Sequence, residues 1–346
     1  MHQVKQLFGI LLLILPLQMT AQIGGRALQD FLRLSPSGRI SSLGGVNVST
    51  WDDDPHFGYM NPALVNDSMH QQVALSYAGY LSDIGFGYTG YSHTFDGIGS
   101  FHTGINYLNY GSFQAADDRG NLLNEFRASS LAWVVGGSRG SDNLRVGTNL
   151  KFIYSTLASG YAANFSALAL DLGGAYRSKS RLFSAGIVAK NIGLSLNETP
   201  VGIPRENLPF ELQLGMTAKL RYMPLRFSVT ATHLEHPNLI YEDPNAPQEF
   251  DLSGNPIEQR DPILDKIVRH FVFGGEFLLG KGLRLRGGYN HLRRQELRSS
   301  NRAGLSGFSL GFGLRIKRFA LDYGYASYGA DNNFNTHQFS LRMRLN

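Results

Sequence analysis

Three consecutive carboxylates, Asp52-Asp53-Asp54, are the side chains whose type and spacing most invite a chemical reading. Clustered carboxylates are hard oxygen donors and could bind calcium, but no glycine and distal glutamate follow at EF-hand spacing. The stronger alternative is structural: the acids cap a turn or pair with basic residues elsewhere in the fold. Asp117-Asp118-Arg119-Gly120-Asn121 reads as a polar turn. The histidines are scattered, with no pair set on one strand face beside a carboxylate as a metal site needs. Cysteine is absent, which excludes thiolate zinc ligation and a disulfide scaffold. There is no Gly-x-Ser-x-Gly elbow, phosphate loop or pair of catalytic carboxylates in a credible context. The sequence thus predicts a non-enzymatic chain with no catalytic, metal or cofactor residues.

The start of the chain is more telling. Lys5 precedes an apolar run from Leu7 to Leu17, and the small residues Thr20 and Ala21 stand before Gln22. A basic start, a short oily stretch and a small-residue exit predict a signal peptide over residues 1–21, and hence export. The run is too short to span a bilayer as a helix, and no later segment approaches the roughly 18 apolar residues such a span needs. The net charge of +5 is spread along the chain rather than clustered, so no nucleic-acid partner is expected. Glycine is abundant, 40 residues, while proline is ordinary at 13, which argues against a low-complexity linker.

From about Val73 onward one pattern repeats: about ten residues of strict alternation, then a turn. Phe308-Ser309-Leu310-Gly311-Phe312-Gly313-Leu314-Arg315-Ile316 is the cleanest case, and Leu144 to Phe152, Phe210 to Arg221 and Phe339 to Leu345 follow it. Each segment has one oily face and one polar or glycine face. About fourteen such segments can be counted, an even number of lengths suited to tilted membrane strands. The connections alternate too. Tiny turns such as Asp96-Gly97-Ile98, Ser178-Lys179-Ser180, Met223-Pro224 and Lys317-Arg318 follow even-numbered segments. Mostly long links follow the odd ones: 110–126, 192–209, 235–268, 294–304 and 328–336. A barrel with both termini in the periplasm places short turns inside and long loops outside. A soluble sandwich has no reason to keep that parity. The prediction is an all-β fold, a transmembrane antiparallel β-barrel of about 14 strands over residues 71–346, in the cell outer membrane.

Residues 22–70 lack sustained alternation and carry turn signals, among them Gly44-Gly45 and Asn61-Pro62. So wide a lumen cannot be filled by its own wall, so this segment is expected to fold inside it as a plug. Arg39, Gly44, Gly45, Asp52, Asp53, Asp54, Asn61 and Pro62 are the candidate plug residues. Inward positions read from the alternation include Arg145, Lys151, Lys219, Arg221, Arg284, Arg286, Arg315, Arg342 and Arg344, against Asp171, Glu211, Glu276 and Asp322. The lumen is therefore expected to be charged and glycine-lined. The acidic outer loop between Glu235 and Val268 offers Tyr241, Glu242, Asp243, Glu249, Phe250 and Asp251 as candidate partner-binding residues, since long loops on a rigid barrel are where partners reach.

The run Ser37 to Gly45, then Asp52-Asp53-Asp54, then Asn61-Pro62-Ala63-Leu64 resembles the opening motif of the PorV/PorQ family. Ser76 to Gly87 and Ile105 to Gly111, continuing to Gly120-Asn121, look closer to the PorQ branch. The resemblance implies a barrel similar to the long-chain fatty acid transporters, working in the type IX secretion system of Bacteroidota. It further implies a non-enzymatic anchor in the cargo attachment complex, holding a PorZ-like surface protein beside PorU/PorV-like components, with membrane lipids and lipopolysaccharide nearby. The rival reading is an outer-membrane channel or transporter for hydrophobic small molecules, which would require an apolar pocket between plug and wall. A porin for polar solutes would require the plug segment to leave the pore clear.

Overall fold

The computed structural model describes residues 29–80, 84–116, 119–156, 164–196, 208–240, 263–280, 282–297, 304–329 and 335–345. Fourteen antiparallel strands close into a barrel. They are β1 Gln72–Gly79, β2 Gly85–Phe95, β3 Gly99–Ala116, β4 Leu122–Gly140, β5 Leu144–Thr156, β6 Phe165–Arg177 and β7 Phe183–Ser195. The second half comprises β8 Glu211–Lys219, β9 Leu225–Ala231, β10 Phe271–Leu279, β11 Leu283–Asn290, β12 Phe308–Ile316, β13 Phe319–Ser327 and β14 Asn335–Arg344. Each strand pairs with its sequence neighbour, and β1 closes the ring on β14 from Gln72 opposite Arg344 to Gly79 opposite His337. Closure leaves no edge, so every strand finds both partners without water, as hydrocarbon demands.

The two-residue period fixes which face each side chain takes. On β5, Arg145, Asn149, Lys151, Ile153 and Ser155 are buried, while Leu144, Val146, Leu150, Phe152 and Tyr154 are exposed. The same inversion of a soluble protein's pattern runs round the wall, with Leu75, Trp133, Leu168, Ile187, Met216, Phe273, Leu285, Leu310 and Phe339 all exposed. A ring of large apolar side chains turned outward is a surface for lipid. Phe95, Tyr176, Tyr222 and Phe319 at the short-turn end, and Tyr107 and Tyr154 toward the other, are likewise exposed, as interfacial girdles require. The fold class and the outer-membrane location expected from the alternation are those of the molecule.

Two local expectations change. The link 110–126 is shorter than expected, because β3 runs on to Ala116 and β4 starts at Leu122, a hairpin extension on which Phe113 and Phe126 stack at 5.4 Å. Residues 291–293, expected in the eleventh strand, are helical instead: the Asn290 side chain accepts from the Arg293 amide at 3.0 Å and caps a new helical turn. The expected signal peptide, residues 1–21, lies outside the described residues, as does Asp117-Asp118.

Residues 29–71 run inside the barrel as short helical turns: a 3-10 turn Asp30–Arg33, α1 Gly38–Ser41, α2 Phe57–Met60, and 3-10 turns Pro62–Leu64 and Asp67–Met69. Ser37 caps α1 by accepting from the Ile40 amide, and Gly44 and Gly45, at φ +98° and +94°, end it in a conformation that favours glycine. Replacing outward Leu150, in the middle of β5, by Arg is expected to destabilise the barrel by about 2–4 kcal/mol. Denaturant titration in phosphatidylcholine vesicles measures it, and an unchanged midpoint would contradict the lipid-facing assignment.

Candidate functional site

The plug is held by charge. Arg39, on α1 and fully buried, donates to Asp54 Oδ2 at 3.0 Å, to Asp52 Oδ2 at 2.5 Å and to Glu276 Oε1 on β10 at 3.2 Å. Its guanidinium also lies 5.0 Å from the Phe57 ring centroid. Around this centre the wall supplies more guanidinium groups. Arg226 on β9 pairs with Asp52 and Glu276, and Arg286 on β11 with Glu276 at 2.8 Å and Asp322 at 2.7 Å. Arg315 on β12 pairs with Asp53, and Arg342 on β14 reaches Asp322 at 3.4 Å and Asp54 at 3.6 Å. Five cations (Arg39, Arg226, Arg286, Arg315, Arg342) thus meet five carboxylates (Asp52, Asp53, Asp54, Glu276, Asp322), with half-buried Arg284 beside them as a sixth guanidinium. Mutually bonded charges can be buried; a single one could not.

The acidic triplet is therefore an ion-pairing device. Among the described residues no group of three or more His, Cys, Asp or Glu side chains could hold a metal. Burial alone would raise the carboxyl pKa of Asp52, but Arg39 and Arg226 overcome it and lower it to about 2. Asp54 is held well below the usual range against the same burial penalty by Arg342, His56 and Arg39, with His56 Nδ1 at 2.8 Å from its Oδ1.

Close backbone packing completes the hold. A Cβ on Gly38 would stand 2.5 Å from the Gln338 carbonyl, and one on Gly324 would stand 2.2 Å from the Gly38 carbonyl. On the far side Asn61 caps the 3-10 turn Pro62–Leu64, with Pro62 in its first turn, and donates to the Val48 carbonyl at 2.9 Å and the β6 carbonyl of Gly174 at 3.2 Å. Six of the eight candidate plug residues, Arg39, Asp52, Asp53, Asp54, Asn61 and Pro62, take part in these contacts, while Gly44 and Gly45 form the turn after α1. With Arg39, Ile40, Phe57 and Tyr59 buried in the lumen the segment does not leave a clear pore.

Of the inward charges expected, Arg145, Lys151, Asp171, Glu211, Glu276, Arg286, Asp322 and Arg342 are buried, while Lys219, Arg221 and Arg344 are exposed at strand ends. The expected charged, glycine-lined lumen is corrected in one respect. At the outer end of β1–β6 the inward face is apolar: Ala78, Phe86, Leu108, Ala132, Ile153, Phe165, Ala167 and Ala169 meet Leu208 and the plug residues Phe31 and Leu32. Tyr80, Ile84, Tyr110 and Leu34 pack against this cluster. Below it Lys151 pairs with Asp171 and donates to Asn191 Oδ1, both at 2.8 Å, and the Lys151 and Lys190 ammonium groups sit 5.0 and 5.1 Å from the Tyr59 ring. The apolar cluster had a signal in the sequence. In Ala132-Trp133-Val134-Val135 and Phe152-Ile153-Tyr154 both parities are apolar, the mark of a strand buried on two sides.

No protein-family model matches the sequence, and no curated protein matches it. Solved structures do. The Ralstonia pickettii toluene transporter TbuX superposes with a TM-score of 0.51 at 12% identity, covering 91% of this chain and 99% of its own. The monoaromatic hydrocarbon channel CymD gives 0.51 at 12% identity, covering 90% and 98%. A deletion mutant of the channel TodX gives 0.51 at 12%, covering 89% and 97%. Fold and site together define a plugged outer-membrane β-barrel.

These superpositions correct the expectation drawn from the PorV/PorQ resemblance. These three chains, which superpose along nearly the full length, are a toluene transporter and monoaromatic hydrocarbon channels, so the type IX secretion assignment is withdrawn. The partners it implied, a PorZ-like surface protein, PorU/PorV-like components and lipopolysaccharide, go with it. The motif that suggested the family is accounted for by packing: Ser37 to Gly45 caps, turns and approaches the wall, and Asp52-Asp53-Asp54 answers its arginines. The candidate docking residues Tyr241, Glu242, Asp243, Glu249, Phe250 and Asp251 lie outside the described residues.

Arg39→Ala leaves Asp52, Asp54 and Glu276 short of a buried partner, and should cost about 3–5 kcal/mol. The expected outcome is loss of protease protection of the plug while the barrel band survives. The pH dependence follows from the depressed carboxylates. Their contribution is complete above the ordinary value of 3.8 and disappears as pH falls toward about 2. Plug protection should therefore hold from neutral pH down to about 4 and be lost progressively as the pH falls toward about 2, which limited proteolysis after acid exposure will report.

Proposed function

We propose that this protein is a non-enzymatic outer-membrane channel for hydrophobic small molecules. The observation that carries the reading is the apolar inward face at the outer end of β1–β6, packed from within by Phe31 and Leu32. Pockets that take small ligands are concave, mostly apolar and furnished with a few placed polar groups. Here the wall gives the apolar face and Lys151, Lys190 and Tyr59 the polar floor. The likeness in fold to TbuX and CymD supports the same substrate class. In this reading residues 1–21 are removed on export, residues 22–70 form the plug that packs against the apolar face, and residues 71–346 form the wall. Arg39, Gly44, Gly45, Asp52, Asp53, Asp54, Asn61 and Pro62 serve to set the plug against it.

Purified protein in vesicles should accelerate entry of radiolabelled toluene over protein-free vesicles. Ala132→Trp, which crowds the apolar cluster, should cut the rate severalfold while leaving heat-modifiable migration intact. Equal rates with and without the protein would refute the channel reading.

A further inference from the structure

A short helix in the outer loop, α3 Ile263–Val268, wears its amphipathic pattern inside out. Ile263, Leu264 and Ile267 are 77%, 71% and 51% exposed, while Asp265 and Lys266 are part-buried. At 3.6 residues per turn the three apolar side chains share one arc of about 100°. A helix packed on a soluble domain would turn that arc inward. Here the polar face is the one that docks. Asp265 Oδ1 lies 2.8 Å from His291 Nε2 and accepts from Gln295 Nε2 at 3.3 Å, while its Oδ2 accepts from Arg269 at 2.7 Å. His291 and Gln295 belong to the second outer helix, α4 His291–Glu296.

The place of that mooring says what covers the apolar face. His291 Nδ1 is 2.7 Å from the Tyr289 hydroxyl. Tyr289 stands opposite Phe273 and Phe308 in the ladders of β10, β11 and β12, and those two residues are exposed on the outward, lipid-facing row. The helix is thus tied through His291 to the end of that outward row, which puts its exposed apolar arc beside the lipid-facing wall.

We propose that α3 is an interfacial anchor, lying in the outer leaflet with Ile263, Leu264 and Ile267 among the acyl chains. A helix with a polar face against protein and an apolar face toward the membrane gains by burying that face just below the headgroups. The occupant is lipid rather than a protein partner, because the exposed arc runs on from a belt that lipid already covers. The anchor would hold the end of the long outer loop down beside β10, next to the mouth of the barrel.

The absence of native cysteine makes the test direct. Leu264→Cys, Ile267→Cys and Lys266→Cys each receive a nitroxide, with Leu310→Cys on the lipid-facing wall as reference. Each full-length protein is placed singly in a phosphatidylcholine nanodisc. Collisions with oxygen, which concentrates among acyl chains, are compared with those of a water-soluble nickel chelate. The oxygen-to-nickel ratio is expected to be severalfold higher at 264 and 267 than at 266, and close to that at 310. Adding His291→Ala should erase the contrast on α3 and leave the value at 310 unchanged, which separates a lost mooring from a misfolded barrel. Equal nickel access at 264, 266 and 267 would place the helix in water and overturn the proposal. Exclusion of both reagents would mean that the chain's own loop covers the face, and would overturn it as well.

Discussion

A ring of fourteen strands is too wide for its own side chains to fill, and that constraint governs everything inside this molecule. The wall turns its oily residues outward, so it has few left to make a core. The filling must come from elsewhere in the chain, and it comes from the residues before the first strand. Packing that segment against the wall has two requirements. The backbone must be allowed close, which the inward glycines permit at Gly38 and Gly324. The charges must be answered, which Arg39 does at the centre of an ion-pair network.

The interior is divided as a result. Strands β9–β14 carry the ion pairs that hold the plug, and the outer ends of β1–β6 carry the apolar cluster. This division separates the basic residues of the lumen from its apolar face. Five arginines and five carboxylates are tied up in the ion pairs of the first region, away from the second. The polar floor of Lys151, Asp171 and Asn191 sits where the two regions meet.

Much of this was legible in the residues themselves. Strict alternation in Phe308 to Ile316 and Leu144 to Phe152 set the faces of β12 and β5, because a period of two allows one side to be wet and one oily. The parity of short turns and long links set the orientation. For Asp52-Asp53-Asp54 the residues left two structural readings, capping a turn or pairing with basic residues, and the arginines of the wall decide for pairing. The apolar cluster was harder to see, because Phe86, Leu108 and Phe165 share the inward rows of their strands with polar Ser92, His102, Asn106 and Asp171, so alternation alone does not mark those rows as apolar. The family resemblance failed for a physical reason: capping serines, turn glycines and an Asn-Pro step are what any plug in a narrow space needs, so they recur without a shared task.

The central claim is that plug and wall are one folded unit, and amide hydrogen exchange on the detergent-solubilised protein tests it most directly. The account predicts that amides between residues 38 and 66 exchange as slowly as those of β10 and β14, the strands that hold them. Rapid exchange throughout that segment, beside a protected barrel, would show a loose tail in an open ring and would contradict it.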